Sequence, residues 1–298
     1  VELRTLRYLV AVSDAGSVTA ASRVLHVAQP SLSRQLRQLE RELGIGLFDR
    51  RDGRLSLSAA GQQFLPIARD VLHRADTARE AAAVIATGRL ERLTIAAPGT
   101  TLTDVIAPFL ATIGPDDPLP AVVEALPRTI YAELGRGADL VIGTVPPPDH
   151  LSRLPLADLP VWAYVPADGH RWSRRRTVRL AALLDETLLV PTTDFHPRWA
   201  LDHAVDTAGL GYGTLLEFGA PQVAQALAAA GRGVAVVSDD ARFGLHPLRV
   251  AGPGGPLQIS LYAAWESNHH ATGTIAGLAD RLSAFCVARY GAGTAPRP

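Results

Sequence analysis

The chain is 298 residues long, 47% apolar and 19% charged, with 29 basic residues balanced by 29 acidic ones. That excludes a disordered or strongly polycationic chain and fits two or three compact globular units. Every basic residue is Arg, which excludes a Schiff-base or phosphate-loop lysine, and no uncharged apolar run nears the roughly 18 residues of a membrane span.

The charge is unevenly placed: residues 1–58 hold nine Arg against six acids, the remainder twenty against twenty-three. A basic head on a mildly acidic body hints at nucleic acid. Leu3, Leu6, Leu9 and Val10 recur at helical spacing, which predicts a helix over 2–14, stopped by Gly16. Ser17 can cap a second short helix that buries Ala20, Ala21, Val24 and Leu25. After a turn at 26–28, Pro30 suits the first position of a third helix. Leu32, Leu36, Leu39 and Leu43 share one face of it, and Pro30, Arg34, Arg37 and Arg41 the opposite face, before Gly44 ends it. Two helices joined by a tight turn, the second basic on its exposed face, make a helix-turn-helix pattern. The N-terminal end of such a second helix enters the DNA major groove. Gln29, Ser31, Ser33 and Arg34 are therefore candidates for base edges, since Arg matches guanine, Gln matches adenine and Ser bonds base or phosphate. Arg37 and Arg41 lie nearer phosphates or Glu partners. A solvated charged face, paired with Glu40 and Glu42, fits the spacing equally well.

In "LFDRRDGRLSLS", Asp52-Gly53 between short apolar stretches is a hairpin signal. The hairpin would form a wing carrying Arg50, Arg51 and Arg54 to backbone phosphate or the minor groove. The run containing "AQPSLSRQLRQLE", "LGIGLFDR" and "LSLSAAG" closely resembles the N-terminal domain of LysR-type transcriptional regulators, continuously over about sixty residues. The resemblance implies that Gln29, Pro30, Ser31, Ser33, Arg34 and Arg50 match positions that contact DNA in that family.

Ser58 can cap a helix running to about Thr87, with Gly88 as its stop and Pro66 bending its first turns. Phe64, Ala68, Val71, Ala75, Ala78, Ala82 and Ile85 step alternately by four and three, a heptad seam suited to a second copy of the chain. The resemblance implies the same, a linker helix that dimerises the heads over a roughly palindromic site.

From residue 89 onward, apolar strand candidates such as "RLTIAAPG", "ADLVIGTV", "ETLLVPTT", "GTLLEFGA" and "GVAVVS" alternate with helical stretches. That pattern argues for parallel α/β sheets. The region resembles the LysR-type effector domain, which implies two lobes like those of periplasmic binding proteins: one of about 89–160 and 266–298, the other about 161–265. The crossings are expected near 161 and 265, with a C-terminal helix over about 271–290 returning to the first lobe. Ligands in such sheets bind beyond the carboxyl ends of strands. This selects Pro98, Gly99, Thr100 and Thr101, then Arg128, Thr144, Thr192, Thr193 and His196, and the strand end at Phe218 and Gly219, where an aromatic is usually core but the resemblance implies that the loop faces the cleft. Thr101 with Asp104 has capping-box-like spacing, and free N–H groups at a helix start suit a carboxylate. The Thr pair fits a purely capping role equally well, and Arg128 fits either an acid anchor or a solvated surface.

Cys286 reads as a buried structural thiol, and a single cysteine excludes an intramolecular disulfide. With "VELRTLRYLV" unlike a secretory signal, the expected location is the cytoplasm. No metal or cofactor is expected, since His269-His270 lacks ligand-spaced partners. The reading is an α/β regulator with a winged helix-turn-helix over 1–58, a linker helix over 59–88 and an effector domain over 89–298. Its partners would be a dyad-symmetric double-stranded DNA, a small carboxylate effector, further copies forming a dimer and then a tetramer, and RNA polymerase. The alternative is an architectural DNA-binding protein with a purely structural body. An enzyme is disfavoured, because no nucleophile-elbow or zinc-protease motif is present.

Overall fold

The computed structural model describes residues 1–51, 54–87 and 90–296. The expected turn at Asp52-Gly53, the stop at Gly88 and the side chains of Arg50, Arg51, Arg54 and Ile85 lie outside the described residues. The chain divides into two compact units, one of residues 1–89 with 135–137, the other of 90–134 with 138–298.

In the first unit, α1 (Leu3–Ala15), α2 (Val18–Val24) and α3 (Gln29–Leu43) precede a hairpin of β1 (Phe48–Arg51) and β2 (Arg54–Leu57), and α4 (Ala59–Thr87) follows. Local chemistry sets the boundaries. Gly16 and Gly44 end their helices in the left-handed conformation, at φ 65° and 69°. Ser17 Oγ accepts the Ala20 N–H at 3.0 Å and caps α2. Ser58 Oγ accepts the Gly61 N–H at 2.9 Å and starts α4. Gly61 has no room for a Cβ beneath the Leu47 carbonyl. Leu6, Leu9, Val12, Leu32, Leu36, Leu39 and Leu47 form one core with Leu65, Ala68 and Leu72 of α4. Two expectations change. Val24, the last residue of α2, is 72% exposed rather than buried. Pro30 takes the second helical position, after Gln29.

The seam along α4 also changes. Ala68 is fully buried in the unit's own core and Phe64 packs against that core, so the start of the stripe faces α1. Arg7–Asp76 (2.8 Å) and Arg69–Asp14 (2.6 Å) fasten the same two helices. Val71, Ala78 and Ala82 are exposed and Ala75 is half-buried. The exposed Ile67 was not part of the expected seam.

The second unit holds two sheets. The first has the order β4-β3-β5-β14-β6, from β3 (Arg92–Ala97), β4 (Leu119–Glu124), β5 (Leu140–Gly143), β6 (Leu151–Pro160) and β14 (Gln258–Glu266). The second has the order β10-β9-β11-β7-β12-β13, with β8 beside β12. Its strands are β7 (Trp162–Pro166), β8 (Thr177–Arg179), β9 (Thr187–Pro191), β10 (Thr214–Phe218), β11 (Val234–Val237), β12 (Leu245–Gly252) and β13 (Gly255–Pro256). The helices are α5 (residues 99–110, with a π-helical turn at Leu102–Ile106), α6 (Leu180–Leu184), α7 (His196–Thr207), α8 (Pro221–Ala229) and α9 (Thr272–Tyr290). β3, β4 and β5 run parallel, as do β9, β10 and β11.

The chain crosses between sheets at Val161 and Leu257, whose backbones meet through a 2.9 Å hydrogen bond. The second crossing thus lies well before the expected residue 265. β14 pairs along the whole of β6 and also with β5, which commits Gln258–Glu266 to the first sheet. Pro155 and Pro160 hide β6 as a strand in the sequence, and it is an edge strand, where proline is tolerated.

Candidate functional site

Two surfaces bring the sequence candidates together. On α3, Gln29, Pro30, Ser31, Arg34 and Arg37 are exposed and Ser33 is half-buried, with Pro30, Arg34 and Arg37 opposite the Leu32–Leu36–Leu39 stripe. Glu40 does not neutralise this face. Its Oε1 accepts the backbone N–H groups of Leu47 (2.8 Å) and Phe48 (3.3 Å), tying α3 to the start of the hairpin. Glu42 accepts from Gln38 at 3.1 Å. Arg37 Nε donates to the Ser33 carbonyl and Arg41 Nε to the Arg37 carbonyl, each at 3.3 Å, so both side chains lie along their own helix. Arg34 forms no ion pair among the described residues. A guanidinium fork on an exposed helix, with its local acids engaged elsewhere, is suited to base edges or phosphate.

The second surface is a cleft between the two sheets of the second unit. Pro98, Thr100 and Thr101 enter it from the start of α5, and Thr144 from the end of β5. His196 enters from the start of α7, Ser238 and Asp239 from the end of β11, and Leu159, Ile259 and Leu261 line it from the crossing strands. The cleft is narrow. It keeps about 40 Å³ of space, well below the roughly 150 Å³ that holds a benzene ring.

The two sheets are tied across this cleft. Thr144 Oγ1 hydrogen-bonds His196 Nδ1. Asp104, 7% exposed on the π-helical turn of α5, accepts from Arg242 Nη2 at 2.8 Å and from the Asp240 N–H at 3.0 Å. Tyr290 of α9 donates to the Asp104 carbonyl at 3.0 Å, and Arg289 Nη2 meets Asp240 Oδ2 at 2.5 Å. Gln225 donates to the Asp240 carbonyl and accepts the Arg242 N–H. Burial raises the Asp104 carboxyl above its ordinary range, against the Asp240 N–H and Arg242. Asp239 is 1% exposed, and its Oδ1 has no hydrogen-bond partner. Burial first, and the Asp104 charge second, push its carboxyl up to about 7. His196 Nε2 is likewise buried without a partner, and burial lowers that imidazole's pKa.

Several candidates stand elsewhere. Arg128 forms an exposed 2.7 Å pair with Asp194 and does not line the cleft, so it is no buried acid anchor. Gly99 lies against the exposed Glu124 carboxylate, which a Cβ would push aside. The Thr193 carbonyl accepts from Trp199 Nε1 at 2.6 Å, and the Thr192 N–H donates to the Phe218 carbonyl. Phe218 packs on the second sheet's core and Gly219 is exposed, so none of these four lines the cleft. The Thr101–Asp104 capping box does not form, because Asp104 turns toward Arg242. Asp104, Ser238, Asp239 and Tyr290 were missed. "SDDAR" directly follows the "GVAVVS" strand, so the strand-end rule that selected the other loops also points to Asp239.

Cys286 is fully buried, and its thiol is pushed up to about 12 by that burial. No helix among the described residues is long and apolar enough to cross a membrane.

Residues 3–62 match the family model for the bacterial regulatory helix-turn-helix protein of the lysR family. Residues 86–286 match that for the LysR substrate binding domain. The transcriptional regulator ClcR of Pseudomonas putida is 40% identical over 99 residues, 33% of this chain and 34% of ClcR. The matched stretch thus spans about a third of that relative's length. A full-length OxyR variant from Pseudomonas aeruginosa superposes with a TM-score of 0.71 at 24% identity, covering 100% of this chain and 98% of that one. Full-length CbnR complexed with its target DNA superposes with a TM-score of 0.69 at 21% identity, covering 95% of this chain and 100% of that one. At these identities the likeness is one of fold.

Proposed function

Because this chain belongs to the LysR family of bacterial regulatory helix-turn-helix proteins, we propose that it is a sequence-specific, DNA-binding transcriptional regulator acting in the cytoplasm. The observation that carries this reading is the exposed face of α3, where Gln29, Ser31 and Arg34 stand free of the neighbouring acids. These residues read base edges, Ser33 and Arg37 support them, and Arg50, Arg51 and Arg54 of the hairpin meet phosphate or the minor groove. The likeness in fold to CbnR, whose structure is complexed with its target DNA, supports DNA binding.

The C-terminal unit is the sensor. A small effector bearing a carboxylate enters the cleft, beside the Thr100, Thr101, Thr144 and Ser238 hydroxyls and the converging starts of α5, α7 and α8. Because the cleft keeps so little space, binding shifts the population between narrower and wider arrangements. Two chains pair through the exposed Val71, Ala75, Ala78 and Ala82 side of α4, the dimers assemble to a tetramer, and the bound effector changes DNA bending or contact with RNA polymerase.

Footprinting on the DNA upstream of the protein's own gene, at a stated salt concentration, tests the reading. Protection of a dyad-symmetric site longer than one helical turn is the expected result. Uniform, salt-sensitive binding to every DNA, unchanged by Arg34→Ala, would overturn sequence-specific recognition.

A further inference from the structure

We propose that the effector carries a protonated amine, seated on the Asp239 carboxylate, together with the carboxylate inferred above; the location of the site rests on that reading. The charged groups around the cleft are paired with one exception. Asp104 has Arg242, and Asp240 has Arg289. Asp239 has no cation partner among the described residues, although it is 1% exposed. A buried carboxylate oxygen without a donor is unstable unless something supplies one.

Three neighbouring donors are committed elsewhere, whereas Arg242 Nε and His196 Nε2 are, like Asp239 Oδ1, buried without a partner. Tyr164 OH donates to Asp239's own carbonyl at 2.7 Å. Tyr290 OH donates to the Asp104 carbonyl, and Gln225 Nε2 to the Asp240 carbonyl. Asp239 lines the cleft, so a ligand there can reach Oδ1. An ammonium group supplies the missing N–H donors and adds a positive charge in direct contact, where Arg242 acts without a hydrogen bond. A ligand bearing only a carboxylate meets Asp239 and Asp104 without any Arg side chain on the cleft wall. Pro98, Val105, Leu159, Phe195 and Ile259 require the body between the two polar ends to be compact and apolar.

The proposal has a proton signature. Asp104 and Asp240 disfavour ionisation of Asp239, Arg242 favours it, and Tyr164, Tyr290 and His196 face the same region. With the carboxyl held at about 7, an arriving ammonium expels a proton to solvent and binds the carboxylate. Affinity for an amine therefore rises about tenfold between about pH 6 and pH 8, whereas a ligand with a carboxylate alone requires the protonated form and shows the opposite slope.

The test is calorimetry on the full chain with three probes of one shape: phenylalanine, phenethylamine and 3-phenylpropionate. Measuring in two buffers of different ionisation enthalpy counts the protons exchanged and needs no variant. The expected result is proton release with both amines, the tightest binding by phenylalanine, and at least tenfold loss of both amines in Asp239→Asn. If only 3-phenylpropionate binds, with proton uptake, the amine is overturned and the carboxylate reading stands. If phenethylamine binds as well as phenylalanine and needs Asp239, the carboxylate reading falls and the amine seat stands. No binding by either amine at millimolar concentration overturns the proposal.

Discussion

Arg242 Nη2 lies 2.8 Å from Asp104 Oδ1, and the two residues belong to different sheets of the C-terminal unit. Asp104 sits on the π-helical turn after β3, Arg242 on the loop after β11. The pair, with the Asp240 N–H as second donor, holds the base of the cleft closed where an effector would act. A π-turn widens one helical turn and often marks a functional position, and here it carries the acidic partner of that tie.

Removing Arg242 would leave Asp104 buried beside a single backbone donor. Arg242→Ala should destabilise the C-terminal unit by about 2–4 kcal/mol, and Asp104→Asn, whose amide oxygen still accepts, by about 1–2 kcal/mol. Denaturant unfolding of each variant and of the double variant gives the coupling. Additive losses would mean that the contact contributes nothing of its own.

Asp239 sets a pH dependence of known sign. Its proton leaves the unfolded chain near 3.8 but leaves the native protein near 7. The native state therefore binds more protons in that interval, and stability falls as pH rises from about 4 to about 7, then stays lowered. Asp239→Asn should stabilise the protein at pH 8 by on the order of 4 kcal/mol, read as a higher Tm, and change little at pH 4. His196 acts oppositely, since its lowered pKa costs native stability at acid pH, and it cancels in the comparison of wild type with variant.

Glu40 holds the start of the hairpin through two backbone N–H groups. Glu40→Ala should cost the N-terminal unit about 1–3 kcal/mol, with Glu40→Gln recovering part of it. Thermal unfolding and DNA affinity should fall together, because α3 and the hairpin lose their fixed relation.

Arg34→Ala should weaken binding to the specific site by about 1–3 kcal/mol and relax preference at one base position. An equal loss on random DNA, with a salt slope lowered by about one, would assign Arg34 to phosphate.

Val71 is 39% exposed on α4. Val71→Glu should dissociate the proposed dimer in sedimentation experiments while leaving the unit folded. Ala68→Glu, at a fully buried position, should instead unfold the head.

The sequence by itself determined the N-terminal unit almost entirely. Its helices are short-range objects, set by leucine spacing, Ser17 and Ser58 caps and the Gly16 and Gly44 stops, so local chemistry suffices to place them and the exposed arginine face. Tertiary structure decided which side of α4 is free. Ala68 lies on a stripe that reads as a heptad seam, yet α1 covers it, and a stripe's period does not say which neighbour buries it. The long-range pairing of β14 with β6 and β5 moved the crossing from the expected 265 to Leu257. The cleft was legible only in part. Strand ends gave Pro98, Thr100, Thr101, Thr144 and His196. The pairings that drew Arg128 to Asp194, joined Asp104 to Arg242 and left Asp239 alone join residues far apart in sequence. Charge pairing and desolvation depend on distance in space, and only the folded chain sets that distance.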